Sequence, residues 1–405
     1  MVFILCGLAV LMDGFDVQAM GYVAPALVRD WKISSGVLGP VFSAALAGIM
    51  LGSLVIGALG DRIGRRPVLV FGTLFFAATT LLTARATSIP QLLAVRLLAG
   101  FGLGGVMPNA MSLAGEKSPK HIRVFVMMVV SCGFTAGAAI GGFISAWMIP
   151  AWGWRSVFLF GGCAPILVAA LMALYLPESD AFLAARGKRH NREDVSIRRL
   201  FQQGRALATI LLWIVNFMNL LNLYFLGSWL PTLAQGAGYA TSIAVTMGAV
   251  VQVGGVIGTI TNAKIIERFG FVMTLAPCFA VGAIAVGMIG QPFLSLPLLF
   301  AALFIAGWSV PGGQPGVNAL AGVYYPTDIR STGIGWGLGI GRIGGILGPL
   351  IGGALIAHQW STREVFAAAA LPAAISAIAM IGLRGPIKFV PATIPAPAEP
   401  VGQMR

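Results

Sequence analysis

Charge is what this sequence has least of. Asp, Glu, Lys and Arg make up 10% of its 405 residues, where a soluble domain carries about 25%. A chain of this length can build a large core, but this one has too few charges to coat it. Acid is scarcer than base, with 13 Asp and Glu against 26 Lys and Arg and a net charge of +13. The excess of base does not point to nucleic acid, because the basic residues lie in short loops between apolar runs and not on one polar face. Cys6, Cys132, Cys163 and Cys278 sit in apolar runs without metal-like or redox-like spacing, so they read as packing residues. Histidine numbers only 3: His121 and His190 fall in loops and His358 at the end of an apolar run. No metal site, cofactor or nucleophile–base pair at depth is therefore expected, and a membrane enzyme is disfavoured. A basic n-region is also missing, so no secretory signal is expected. The first apolar run begins almost at Met1, and a short segment upstream of it is expected.

What is abundant is apolar. Hydrophobic residues make up 58% of the chain, and glycine numbers 54. A bilayer as a partner resolves the shortage of charge, since a lipid-facing exterior can be as apolar as the interior. Glycine lets membrane helices approach closely. About twelve apolar segments of roughly 20 residues can be placed, near 2–27, 37–59, 67–85, 90–113, 123–148, 155–176, 207–231, 240–263, 271–290, 295–318, 333–357 and 364–384. The longest polar stretch, 177–206, splits them six and six. The expected organisation is an N-terminal six-helix bundle over 1–176, a linker loop over 177–206, a C-terminal six-helix bundle over 207–385, and a Pro/Ala-rich disordered tail over 386–405. With the N-terminus placed inside, 19 of the 26 basic residues fall in loops and tail on that side and 5 on the other. Both termini are accordingly expected in the cytoplasm.

The halves repeat. Gly21, Pro25 and Leu27 recur as Gly227, Pro231 and Leu233, and Asp61-Arg62-x-Gly64 recurs as Glu267-Arg268-x-Gly270, each at +206. Gly137, Ile140, Gly141 and Gly142 match Gly348, Ile351, Gly352 and Gly353 at +211, and Arg155-x-Val157-Phe158 matches Arg363-x-Val365-Phe366 at +208. Four matches in one order indicate a duplicated six-span unit with both copies in the same orientation. That is the architecture of alternating-access transporters, whose substrate site lies between the halves near the midplane.

These residues resemble the major facilitator superfamily over essentially the whole chain. Gly57-Ala-Leu-Gly60-Asp61-Arg62-Ile-Gly64-Arg65-Arg66 is similar to its loop signature between the second and third spans. Arg96-Leu-Leu-Ala-Gly100-Phe-Gly102-Leu-Gly104 resembles its fourth-span motif, and Gly133-xxx-Gly137-xxx-Gly141-Gly142 its fifth-span glycine motif, without the usual proline. Asp13-Gly14-Phe15-Asp16, supported by Gly339-Ile-Gly341-Arg342-Ile-Gly344-Gly345, resembles the aromatic acid:proton symporter family. The resemblance implies an all-α polytopic protein, functional as a monomer, that imports a small aromatic carboxylate such as a benzoate, hydroxybenzoate or phenylpropionate with protons across a bacterial inner membrane. Proton-driven export of drugs or other metabolites is the alternative within the superfamily. The resemblance also implies that Gly57, Gly60, Asp61, Arg62, Gly64, Arg65, Arg66 and Glu116 form a cytoplasmic gate. Its competing reading is a topology signal with a surface salt bridge.

The residues themselves add detail. Asp13 and Asp16 lie three apart in mid-span, on one helical face. Ionisable groups at that depth are costly and are functional candidates. Low dielectric disfavours a charged carboxyl, which suits a proton carrier; the other reading is a structural ion pair or a cap at a broken helix. Their repeat counterparts are Asn219 and Asn222, which keep the polar geometry without the proton. Arg96 is within reach of Asp16 in depth, as a switchable partner or as a permanent bridge. Arg342, the one basic residue buried in the C-terminal half, suits a substrate carboxylate, which a guanidinium holds by two parallel hydrogen bonds; a helix end or gate carboxylate is the other candidate partner. Gly339-x-Gly341-x-x-Gly344 fits a dinucleotide fingerprint but follows no strand, so it is a decoy. Asn216, Asn219, Asn222, Trp308, Gln314, Asn318 and Trp336 are candidates for the cavity wall, since amides and rings suit a flat ligand; interhelical packing competes for each.

Overall fold

The computed structural model describes residues 1–119, 122–179, 183, 197–326 and 329–384. The tail from 386 and most of the linker lie outside these, and of Asp61 only the backbone is described. Among the described residues, twelve helices are long and apolar enough to cross a membrane. Spans 1 to 6 are Val2–Trp31, Ser35–Gly57, Arg65–Thr83, Ile89–Glu116, Val126–Trp152 and Arg155–Tyr175. Spans 7 to 12 are Ala206–Gly236, Thr241–Phe269, Phe271–Ile289, Leu296–Tyr324, Thr332–Ala357 and Thr362–Gly382.

Sequence sets where the helices stop. Gly64 and Gly270, equivalent in the repeat, turn the chain between spans 2 and 3 and between spans 8 and 9 with φ of 106° and 82°. Such values are cheap only for glycine. Span 4 breaks at Gly104 and Gly105, between helices Ile89–Leu103 and Val106–Glu116.

The packing repeats as well. Span 1 packs on span 5, 2 on 4, and 3 on 6; span 7 packs on 11, 8 on 10, and 9 on 12. Small residues make these approaches possible. A β-carbon at Gly48 would overlap the Leu97 carbonyl, and one at its equivalent Gly254 the Phe304 carbonyl. The structure corrects one register. A β-carbon at Gly137 would overlap the Leu11 carbonyl, and one at Gly344 that of Phe217. Since Leu11 and Phe217 are related at +206, the partner of Gly137 is Gly344, at +207, and not Gly348. A glycine every four residues looks the same after a shift of one turn, so the sequence match slipped by four.

Spans 5 and 8, 2 and 11, and 1 and 7 join the two bundles. Because the number of spans is even, both ends of the bundle lie on one side of the membrane, here termed the terminal side. On the far side a single apolar core runs through both halves, from Phe15, Tyr22 and Phe42 to Trp229, Met247 and Phe366. On the terminal side there are two separate cores, one around Leu5, Phe76 and Met172 and the other around Leu212, Phe279 and Tyr325. Far-side contacts include Arg29 Nη2 donating to Thr241 Oγ1 at 3.1 Å, Ser43 Oγ donating to the Ile346 carbonyl at 2.6 Å, and the Phe42 ring against Trp229 at 5.1 Å. Spans 1 and 7 cross where the repeat-related Gly21 and Gly227 meet, and any side chain at Gly21 would strike the Gly227 carbonyl. The described residues are therefore sealed together on the far side and parted on the terminal side.

Candidate functional site

Span 1 carries both acidic candidates into the protein, with Asp13 4% and Asp16 0% exposed. Their environments differ. Asp16 is locked: Arg96 Nη2 donates to Oδ2 at 2.7 Å, Nη1 to Oδ1 at 3.2 Å, and Thr80 Oγ1 to Oδ1 at 2.6 Å. The guanidinium lies 5.7 Å from the Phe158 ring centre, and Arg96 is itself 0% exposed. Four spans thus converge on one bidentate pair. Removing one partner of such a pair leaves an uncompensated buried charge, at a cost of about 3–5 kcal/mol. Arg96→Ala is therefore expected to lower the thermal midpoint of the detergent-solubilised protein sharply. Asp16→Asn combined with Arg96→Met should recover most of the loss. Equal midpoints for wild type and Arg96→Ala would show that the pair is not structural.

Asp13 accepts no hydrogen bond from any described residue. It lies within electrostatic reach of Arg342 on span 11 and of Tyr224 on span 7, both in the opposite half. Arg342 Nη1 crosses to span 2, donating to the Ile49 carbonyl at 3.1 Å and to Ser53 Oγ at 3.2 Å. Ser53 Oγ in turn donates to the Met50 carbonyl at 2.8 Å. Nε and Nη2 of Arg342 donate to no described residue. One edge of the fork is anchored, and the other is open to a carboxylate. Ser53 was not a sequence candidate, because a serine in a glycine-rich span has no pattern that singles it out.

The amides of span 7 form a network with span 10. Gln314 Nε2 donates to Asn216 Oδ1 at 3.0 Å and to Asn318 Oδ1 at 3.1 Å, and Asn219 Nδ2 donates to Gln314 Oε1 at 2.7 Å and to the Val310 carbonyl at 3.0 Å. These bonds tie two spans of one half together. Asn222, the counterpart of Asp16, is 0% exposed with both amide atoms unpartnered, as is Oδ1 of Asn219. The tryptophans lie elsewhere. Trp308 Nε1 donates to Thr261 Oγ1 of span 8 at 2.7 Å, and Trp336, 47% exposed, stacks on Trp213 at 6.1 Å. Neither joins the amide network.

On the terminal side Arg65 Nη2 pairs with Glu116 Oε1 at 3.2 Å, and Glu116 Oε2 accepts from Ser179 Oγ. Arg66 Nη2 donates to the Ala173 carbonyl at the end of span 6. Glu178, not a sequence candidate, accepts from the backbone N–H of Arg65 at 2.9 Å and of Arg66 at 3.3 Å. It caps the start of span 3, where a negative charge meets unsatisfied N–H groups. A β-carbon at Gly60 would overlap the Asn109 amide, whereas Gly57 faces Pro108 with room to spare and Arg62 is exposed. Arg65, Arg66, Glu116 and Gly60 thus lock spans 2, 3, 4 and 6 of one half to each other. The Asp61 side chain lies outside the described structure.

Comparison with known proteins bears on all of this. The Major Facilitator Superfamily model matches residues 6–290 and 212–402. The chain is 37% identical to the 4-hydroxybenzoate transporter of Acinetobacter baylyi, over 93% of this chain and 89% of that protein. It is 37% identical to the gallate transporter of Pseudomonas putida, over 94% and 91%. Its fold matches the partially occluded inward open conformation of the xylose transporter XylE from E. coli, with a TM-score of 0.76 and 16% identity over 96% of this chain and 99% of the other.

Proposed function

The chain belongs to the major facilitator superfamily, and from that premise we propose that it imports a small aromatic carboxylate together with protons, by alternating access. The observation that carries this reading is the open edge of Arg342, whose guanidinium lies within electrostatic reach of Asp13 across the junction of the halves. The names of the relatives, a 4-hydroxybenzoate and a gallate transporter, agree with an aromatic monoanion. The terminal side is the cytoplasm of a bacterial inner membrane, because the sequence assigns 19 of the 26 basic residues to loops and tail expected on that side. The described state is then inward-facing.

Asp13 carries the proton, and Asp16 with Arg96 anchors its helix. A protonated Asp13 leaves Arg342 free for the substrate. A charged Asp13 competes for the same guanidinium. Loss of the proton to the cytoplasm thus weakens the hold on the carboxylate, and the two leave together. On the opposite face the far-side seal parts and the two halves close on the terminal side. Parallel halves that pivot about a shared site are the geometry such a cycle needs.

Thermal shift of the purified protein tests the substrate class. A ligand that binds only the folded protein stabilises it by about 2.7 kcal/mol at 100 times its Kd. Benzoate and 4-hydroxybenzoate should raise the midpoint, and methyl benzoate and a cationic aromatic amine should not. A shift from the amine alone would refute an anion site.

A further inference from the structure

Arg342 is carried by one half of the protein and held by the other. Span 11 supplies the side chain, and a single turn of span 2 supplies both of its acceptors, the Ile49 carbonyl at 3.1 Å and Ser53 Oγ at 3.2 Å. Ile49 and Ser53 stand four residues apart, so the two oxygens lie on one helical face. Both bonds come from the same nitrogen, Nη1, whose two hydrogens they use up. What remains is the edge formed by Nε and Nη2. Its two N–H groups run parallel and match the two oxygens of a carboxylate.

Ser53 suits this task for a local reason. Its hydroxyl donates to the Met50 carbonyl, three residues back on its own helix, at 2.8 Å. With that hydrogen committed, Oγ meets Arg342 only as an acceptor. The turn that carries it is also firmly backed. Span 4 breaks at Gly104 directly against it, and a β-carbon at Gly104 would strike both the Ile49 carbonyl and the Ser53 backbone nitrogen. A β-carbon at Gly52 would likewise strike the Phe101 carbonyl of span 4. The anchor is therefore a turn held in place by close helix packing, and not a loose side chain.

We propose that Ser53 is a positioning residue for the substrate carboxylate: with the Ile49 carbonyl it pins Nη1, and so sets the plane of the Arg342 guanidinium and offers its Nε–Nη2 edge to the anion. The inference rests on Arg342 binding the carboxylate. A guanidinium with one acceptor can turn about that bond, and it then attracts an anion much as a point charge does. Two acceptors on one backed turn fix its plane, so the paired bonds to a carboxylate form without first ordering the cation. Ser53 acts through Arg342 and not on the substrate itself. Because Ser53 stands on the N-terminal half and Arg342 on the C-terminal half, the oriented cation exists only while spans 2 and 11 meet at this turn.

Competition binding on the full-length protein tests this, with benzoate and methyl benzoate as probes and the acid-over-ester affinity ratio as readout. Wild type should favour the acid strongly. Ser53→Ala should lower the ratio about tenfold, the effect of one lost hydrogen bond to a charged group, and the loss should fall on benzoate alone. Ser53→Thr keeps a hydroxyl that can bond back to the same turn, and it should return the ratio to within about twofold of wild type. Parallel weakening of acid and ester in Ser53→Ala would mark a merely structural role and overturns the proposal. So does a Ser53→Ala ratio equal to that of wild type, or a Ser53→Thr ratio as low as that of alanine. If wild type binds the ester as well as the acid, the Arg342 reading fails, and this one with it. If Arg342→Ala levels acid and ester while Ser53→Ala keeps the wild-type ratio, this one alone is refuted.

Discussion

Arg342→Ala is expected to abolish carboxylate-dependent binding. Truncating one partner of a desolvated, hydrogen-bonded charge pair costs about 2–5 kcal/mol, which corresponds to roughly 30-fold to a few thousandfold in affinity. Arg342→Lys keeps the charge but loses the planar fork. Its single ammonium cannot hold Ile49 and Ser53 with one edge and a carboxylate with the other, as the native side chain is placed to do. It should fall between wild type and alanine. The diagnostic readout is the methyl ester. Esterification should cost wild type most of its affinity and Arg342→Ala almost nothing, because the group that senses the charge is gone. If ester and acid lose equally in both proteins, Arg342 acts as a bridge to span 2 and not as a substrate ligand.

Asp13→Asn is expected to uncouple transport. Asparagine keeps the size and polarity of the side chain but cannot cycle a proton. One proton moving down one pH unit supplies about 1.4 kcal/mol, enough for a tenfold concentration ratio. Wild type in vesicles with an alkaline interior should approach that ratio much faster than protein-free vesicles, and Asp13→Asn should fill no faster than they do. Exchange of labelled for unlabelled substrate should survive, since it needs no net proton movement. Asp16→Asn is predicted to fail differently, through loss of the Arg96 anchor and of folded protein. Retention of gradient-driven accumulation by Asp13→Asn would transfer the proton role elsewhere.

The spans were legible because a bilayer demands long apolar helices, and no other arrangement fits so few charges. The repeat was legible from glycine and charge, but its register in span 11 was not, since a four-residue glycine period cannot fix its own phase. The Asp16–Arg96 contact followed from depth alone. Depth also misled: Trp308 lies at the level of the amides but only two residues from Val310, so it points to the opposite side of span 10 and meets span 8. Azimuth around a helix that is apolar on every side leaves no periodic trace. Glu178 and Ser53 were invisible for a related reason. One is a carboxylate in a polar linker and the other a hydroxyl among glycines, and only the fold brings them to the span 3 terminus and to Arg342.

Uptake of labelled 4-hydroxybenzoate into vesicles holding the purified protein tests the central claim most directly. Neutral aromatic acids cross lipid unaided, so protein-free vesicles and vesicles holding Arg342→Ala serve as baselines. With the interior one pH unit more alkaline, wild-type vesicles should fill much faster than either baseline, and dissipating the gradient with a protonophore should abolish the accumulation. Filling that outpaces the baselines equally with and without the gradient would contradict proton coupling, and filling no faster than Arg342→Ala would contradict the carboxylate site.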